Sequence, residues 1–153
     1  MAQLAVGSKA PDFSLPDGNG GTVSLKQMKG KTVILYFYPK DNTSGCTQEA
    51  CDFRDNIKLI TKKGGVVIGV STDGVASHKK FADKFDLPFP LGSDEKKDVV
   101  HAYGVWKEKS MYGRKFMGIE RTTFVIGGDG VITHIFPKVK VGGHVKELLS
   151  LLD

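Results

Sequence analysis

Thr32-Val-Ile-Leu-Tyr-Phe-Tyr38 is an uncharged run of β-branched, apolar and aromatic residues that ends at Pro39. Such a run has no polar face to offer water, so it predicts a central strand buried on both sides. Val66-Val-Ile-Gly-Val70 repeats the pattern. Between the two runs, Ala50, Phe53, Ile57 and Ile60 recur at helical spacing, and Gly64-Gly65 supplies a stop. Together they predict a helix over about 46–62. Two buried strands joined by a helix form a βαβ unit, which demands a parallel pair with helices packed against the sheet.

The remaining segments extend that unit. Asp12–Leu15 and Thr22–Leu25 flank a glycine-rich turn and predict an N-terminal β-hairpin. Helices are expected over 77–85, 96–103 and 145–152, with a short extended piece at Phe89–Leu91. Thr122–Ile126 and Val131–Phe136, joined by Gly-Gly-Asp-Gly, predict an antiparallel pair. The expected class is α/β: a mixed central β-sheet flanked by helices in a single domain over 1–153. Glycine is abundant, at 19 of 153 residues, and it falls in short clusters that suit tight turns.

Charge and cysteine content narrow the function. The net charge is +5, but the basic residues stand singly or in pairs, mixed with acids. That argues against a nucleic-acid surface. No stretch approaches the ~20 apolar residues needed to cross a bilayer. The first residues lack the basic start and apolar core of a signal peptide. A cytoplasmic setting is therefore expected, where a pair of cysteines is more often reactive than structural. Gly30-Lys31-Thr32 lacks the earlier glycine of a phosphate-binding loop, and the four histidines are scattered. No cofactor and no metal site is expected.

Cys46 is the strongest candidate for chemistry. It follows the buried strand and a short polar loop, Asp41–Gly45, and falls in the first turn of the predicted helix. Unpaired backbone N–H groups and the helix dipole favour an anion there, and small neighbours leave a sulfur approachable. The alternative is a buried cysteine that merely packs. Cys51 lies five residues on. If both residues are helical, their Cα atoms are roughly 8.5 Å apart. A disulfide needs less than about 7 Å. The two can pair only if the helix start unwinds, and the C-x4-C spacing is not that of a C-x-x-C reductase.

These residues resemble the peroxiredoxins, specifically the Q-type or bacterioferritin comigratory protein group. The likeness runs through Ala10-Pro-Asp-Phe-Ser-Leu-Pro16, Tyr36-Phe-Tyr-Pro-Lys40, Thr43-Ser-Gly-Cys-Thr47, Glu49-Ala-Cys-Asp-Phe-Arg-Asp55, Gly69-Val-Ser-Thr-Asp73 and Ile119-Glu-Arg-Thr-Thr-Phe124. It thus covers essentially the whole chain. Pro39, Thr43 and Cys46 form the P-x-x-x-T-x-x-C signature, and Ser44 stands where many relatives have proline.

The resemblance implies a thioredoxin-like fold and thiol-dependent reduction of hydrogen peroxide and small organic hydroperoxides. By position, Cys46 would attack the peroxide. Thr43 would hydrogen-bond the peroxide and the thiolate, and Pro39 would shield the sulfur. Arg121 would supply positive charge, Glu49 would orient Arg121, and Cys51 would resolve the sulfenic acid through a transient disulfide. A thioredoxin-like dithiol would recycle a monomeric enzyme. More modest readings make Thr43 a helix cap, and Arg121 and Glu49 surface charges. A thiol–disulfide exchange protein and a peroxide sensor would use the same cysteine.

Ionisation alone cannot carry such a reaction. For a cysteine thiol, a fall in pKa from ~8.5 to ~6 raises the thiolate fraction at pH 7 about thirtyfold, or ~2 kcal/mol. Enzymes typically lower barriers by ~8 kcal/mol or more. Alignment of the O–O bond and stabilisation of the departing oxygen must supply most of the difference.

Overall fold

The computed structural model describes residues 4–152. Among these described residues, nine strands and four α-helices follow one another: β1 (Ser14–Pro16), β2 (Thr22–Ser24), β3 (Thr32–Phe37), α1 (Ser44–Lys62), β4 (Gly65–Ser71), α2 (Val75–Phe85), β5 (Leu91–Ser93), α3 (Asp98–Ala102), β6 (Trp106–Met111), β7 (Arg114–Ile119), β8 (Thr122–Ile126), β9 (Ile132–Phe136) and α4 (His144–Leu151). The central sheet runs β5-β4-β3-β8-β9. β3 pairs in parallel with β4 (Leu35 opposite Ile68) and antiparallel with β8 (Leu35 opposite Phe124). The fold is the expected mixed, thioredoxin-like α/β sheet.

The alternation within β3 explains why that run carries no charged residue. Val33, Leu35 and Phe37 face a core completed by Phe13, Leu15 and Val23 of the N-terminal hairpin region and by Val99 and Val100 of α3. Ile34, Tyr36 and Tyr38 face the other core, with Phe53 and Ile60 of α1, Phe81 of α2 and Leu148 of α4. Burying a large apolar side chain contributes roughly 1.5–3 kcal/mol, so β3 is the strand to which both layers are fastened. Tyr36 lies flat against its neighbours, stacked on Phe53 at 4.7 Å between ring centroids. Gly69 of β4 makes room for it, since a Cβ there would lie 2.8 Å from the Tyr36 ring.

Several boundaries differ from the expected ones. α1 begins at Ser44 rather than Cys46, so Cys46 is its third residue. Ser44 is the first helical residue, a position where proline is tolerated because the N–H has no intrahelical partner. α2 begins at Val75 rather than Ser77, and α3 is confined to Asp98–Ala102. The expected extended piece Phe89–Leu91 is shifted: the ladder with β4 starts only at Leu91, opposite Gly69. The β6–β7 hairpin lies in a stretch for which the sequence predicted no element. No described helix is long and apolar enough to cross a membrane.

Candidate active site

β3 ends at Phe37, and the chain then passes through Tyr38, Pro39 and Lys40 into the loop that starts α1. This is the carboxyl end of a central parallel strand, where α/β sheets commonly bind ligands. The loop is fastened at Asp41, which is buried and accepts three hydrogen bonds or ion-pair contacts. Tyr38 donates its hydroxyl to Oδ1 at 2.5 Å, Ser77 donates to Oδ2 at 2.8 Å, and His78 Nδ1 lies 2.6 Å from Oδ2. The other ring nitrogen of His78 is 3.0 Å from the Gly92 carbonyl, an acceptor, so it carries a proton. The Asp41 backbone N–H donates to Asp73 at 2.8 Å. Asn42 then turns the chain with φ of 60°, a conformation asparagine tolerates.

Asp41, Asp73 and His78 form the one group of acidic, histidine or cysteine side chains, among the described residues, close enough to hold a metal ion. Their atoms are already engaged with hydroxyl and N–H donors and with each other. The cluster therefore reads as a fastening of the loop.

Thr43 is the N-cap of α1, but its hydroxyl caps no helical N–H. It donates instead to the Lys40 carbonyl at 2.9 Å, which closes the loop on itself. The expected Thr43 hydrogen bond to sulfur is thus replaced by a backbone contact. The backbone at Thr43 is extended, with φ of −92° and ψ of 158°. Pro39 is half-buried at the start of the same loop.

Cys46 is 1% exposed and packs in the core that contains Tyr36, Tyr38, Ala50 and Phe53. It is a packing residue in that sense, but its sulfur is not in a purely apolar setting. Arg121, between β7 and β8, donates from Nη2 to Cys46 Sγ at 3.3 Å. From Nη1 the same guanidinium donates to Glu49 Oε1 at 2.7 Å. A planar fork can serve two acceptors at once, which an ammonium cannot do with the same geometry. Arg121 is therefore not a surface charge. Its burial acts to weaken the proton's hold, and Glu49 and Cys46 outweigh this and raise its pKa.

Glu49 is likewise not a solvated helix charge, being 0% exposed. Burial pushes its carboxyl up from 4.5 to about 7, against the opposing pull of Arg121. One oxygen is held by the guanidinium, while Oε2 has no hydrogen-bond partner among the described residues. The Tyr36 hydroxyl, also unpartnered, is raised well above its ordinary pKa by burial and then by Glu49 and Cys46.

Gly45 was not singled out in the sequence. A Cβ at that position would come within 3.2 Å of Arg121 Nη2, so the absence of a side chain lets the guanidinium reach the sulfur. The signal lay in the small residue before Cys46, but its meaning depends on a contact formed only in the fold. Cys51 is half-buried one and a half turns along α1, and both cysteines are free thiols. The structure thus brings Cys46, Arg121 and Glu49 into direct contact, places Thr43 and Pro39 on the adjoining loop, and keeps Cys51 apart on the intact helix.

The chain belongs to the AhpC/TSA family, whose model matches residues 6–135. It is a peroxiredoxin, a thiol-dependent peroxidase. Within the family it is similar to peroxiredoxin Bcp of Bacillus subtilis, with 47% identity over 97% of this chain and 95% of that protein. It also superposes on the solved PrxQ cysteine-to-serine variant of Xylella fastidiosa, with a TM-score of 0.93, 35% identity and coverage of 99% and 97% of the two chains. A structure of the Xanthomonas campestris bacterioferritin comigratory protein, described in connection with its alkyl peroxide reduction activity, matches with a TM-score of 0.87. That match has 39% identity and covers 92% of this chain and 89% of the other.

Proposed function

We propose that the peroxidase works through Cys46 as nucleophile and Cys51 as resolving thiol, on hydrogen peroxide and small alkyl hydroperoxides. The observation that carries this reading is the single guanidinium of Arg121 shared between Cys46 Sγ and Glu49. It sets a fixed positive charge where sulfur is attacking and where charge develops on the departing oxygen. The Thr43 hydroxyl gives its hydrogen to Lys40, so its oxygen is free to accept the O–H of the peroxide. Pro39, which has no N–H, borders the same loop and limits water.

In the first step the Cys46 thiolate attacks the terminal peroxide oxygen. A sulfur–oxygen bond forms and the O–O bond breaks. The alkoxide or hydroxide that leaves takes a proton to become alcohol or water, and Cys46 becomes a sulfenic acid. In the second step Cys51 attacks that sulfur, water is lost, and the Cys46–Cys51 disulfide forms. The first turns of α1 must unwind for this, since helical geometry separates the two Cα atoms by roughly 8.5 Å. A thioredoxin-like dithiol protein then returns both cysteines to thiols in a reducing, cytoplasmic setting, with the enzyme acting as a monomer.

Peroxide consumption with dithiothreitol or thioredoxin tests the reading. Cys46→Ser is expected to abolish consumption. Cys51→Ser should still be oxidised once, accumulate sulfinic acid and lose turnover with thioredoxin. It should unfold within about 1 kcal/mol of wild type, whereas loss of a structural disulfide would cost about 2–5 kcal/mol. Peroxide consumption that survives Cys46→Ser would overturn the assignment.

A further inference from the structure

Among the described residues, β6 and β7 pair only with each other, as a separate two-stranded ribbon outside the central sheet. An isolated ribbon of this kind has little stability of its own. It nevertheless holds four of the seven large hydrophobic side chains that are exposed among the described residues: Met111, Tyr112, Phe116 and Met117. Tyr112 at its tip is 98% exposed. Methionine and aromatic residues are enriched where proteins meet other proteins, and methionine adapts to varied surfaces.

The register sorts the ribbon's side chains into faces, because residues directly opposite across an antiparallel pair point the same way. Lys109 lies opposite Phe116, Met111 opposite Arg114, and Lys107 opposite Gly118. One face therefore presents Lys107, Lys109 and Arg114 around Met111 and Phe116, with no acidic residue. The ribbon's single acid, Glu108, belongs to the other face with Met117. Lys109 of that face is partly buried and lies within electrostatic range of Arg121 and Cys46, and also of Glu120 just beyond β7. β7 itself leads directly into Arg121.

We propose that this basic, apolar face of the β6–β7 ribbon is the docking surface for the protein that reduces the enzyme, a dithiol protein whose own active-site surface carries acidic groups around an apolar centre. The proposal rests on the peroxidase reading above. A second copy of the chain is a poorer occupant, since a symmetric contact would set three cations against three cations at close range. Once docked, a donor thiolate attacks the Cys46–Cys51 disulfide and forms a mixed disulfide, releasing one enzyme cysteine as a thiolate. The donor's second thiol then displaces the remaining enzyme cysteine. The donor leaves as a disulfide, and its two electrons and two protons remain with the enzyme as two thiols.

The test separates the two half-reactions. Lys107→Glu/Arg114→Glu and Met111→Ser/Phe116→Ser variants are assayed with a thioredoxin of net negative charge and, separately, with dithiothreitol. The charge-reversed variant should raise the KM for thioredoxin about tenfold or more and reverse the salt dependence of kcat/KM. The apolar variant should raise that KM by roughly severalfold. Turnover with dithiothreitol and the rate of oxidation by peroxide should match wild type in both, which also shows that they are folded. If the charge-reversed variant does not fold, the apolar variant carries the same comparison. An unchanged thioredoxin KM in either folded variant overturns the proposal, as does a wild-type dimer that these substitutions dissolve. If wild type consumes no peroxide with dithiothreitol, the peroxidase reading falls and the docking proposal falls with it.

Discussion

Arg121 and Cys46 are 75 residues apart in sequence and 3.3 Å apart in space, Nη2 against Sγ. The contact joins the entrance of β8 to the first turn of α1, and Glu49 holds the other arm of the fork. Arg121→Lys keeps the charge but cannot reach both acceptors in the same plane. The second-order rate with hydrogen peroxide should fall by about 10²–10³, as when a preorganised donor is lost from a transition state. Stopped-flow oxidation at several pH values checks it. A loss that vanishes at high pH would mean that Arg121 acts on ionisation alone.

Gly45→Ala is a quieter probe of the same contact. The backbone at Gly45 is not in the left-handed region, and alanine suits a helix better than glycine. Its methyl group, however, would stand 3.2 Å from Arg121 Nη2. Peroxide oxidation should slow by about tenfold through displacement of the guanidinium, with thermal stability unchanged or slightly raised. Unaltered kinetics would show that the guanidinium shifts without consequence.

Glu49 predicts a pH dependence of stability. Its folded pKa, about 7, is above the ordinary 4.5 because the carboxyl is buried. A raised pKa means that the folded state binds the proton more tightly than the unfolded chain. The associated stability is complete below about pH 4.5 and is lost as pH rises towards 7. Wild type should therefore lose about 3 kcal/mol relative to Glu49→Gln between those limits and level off above them. Urea unfolding of both proteins across that range measures it. Parallel curves would show that Glu49 ionises freely within the fold.

The Asp41–His78 pair offers a test of the loop's fastening. With both side chains almost fully buried, removal of one partner leaves a polar group without compensation. Asp41→Ala should cost about 3–5 kcal/mol in chemical denaturation. Asp55→Ala, which touches only the exposed ion pair with Arg54, should cost less than about 1 kcal/mol. Equal costs would remove the fastening role.

The sequence made some of this legible and left the rest to three-dimensional contact. β3 and β4 were readable because both their faces are buried, leaving uninterrupted apolar runs. β8 and β9 were readable from the glycine turn between them. The β6–β7 ribbon escaped because only its base, Trp106 and Ile119, reaches the core: the rest of Trp-Lys-Glu-Lys-Ser-Met and Arg-Lys-Phe-Met-Gly-Ile has no alternation to betray a strand. At the site, Cys46 could be weighed from its position at a helix start. The roles of Arg121, Glu49, Thr43 and Pro39 came through family resemblance, since a contact spanning 75 residues leaves no local pattern. The fastening of Asp41 by Tyr38, Ser77 and His78 had no signal at all. It arises where β3, α2 and β5 converge.

The stacking of Phe53 on Tyr36 bears on how α1 can open and close. Phe53 and Ile60 are fully buried beyond Cys51, whereas Cys51 and Asp52 are only half-buried. Unwinding that brings the two sulfurs together can run from Ser44 through Cys51, breaking the Glu49–Arg121 contact, and stop where Phe53 is clamped. Starting a helix from coil is the slow, unfavourable part of forming one, while adding a residue to an existing end takes only nanoseconds. On the cycle proposed above, the turns held by Phe53 stay formed and serve as a seed. Each re-formation of the site is then an elongation rather than a new nucleation, and the peroxide-ready state is regained without crossing the nucleation barrier.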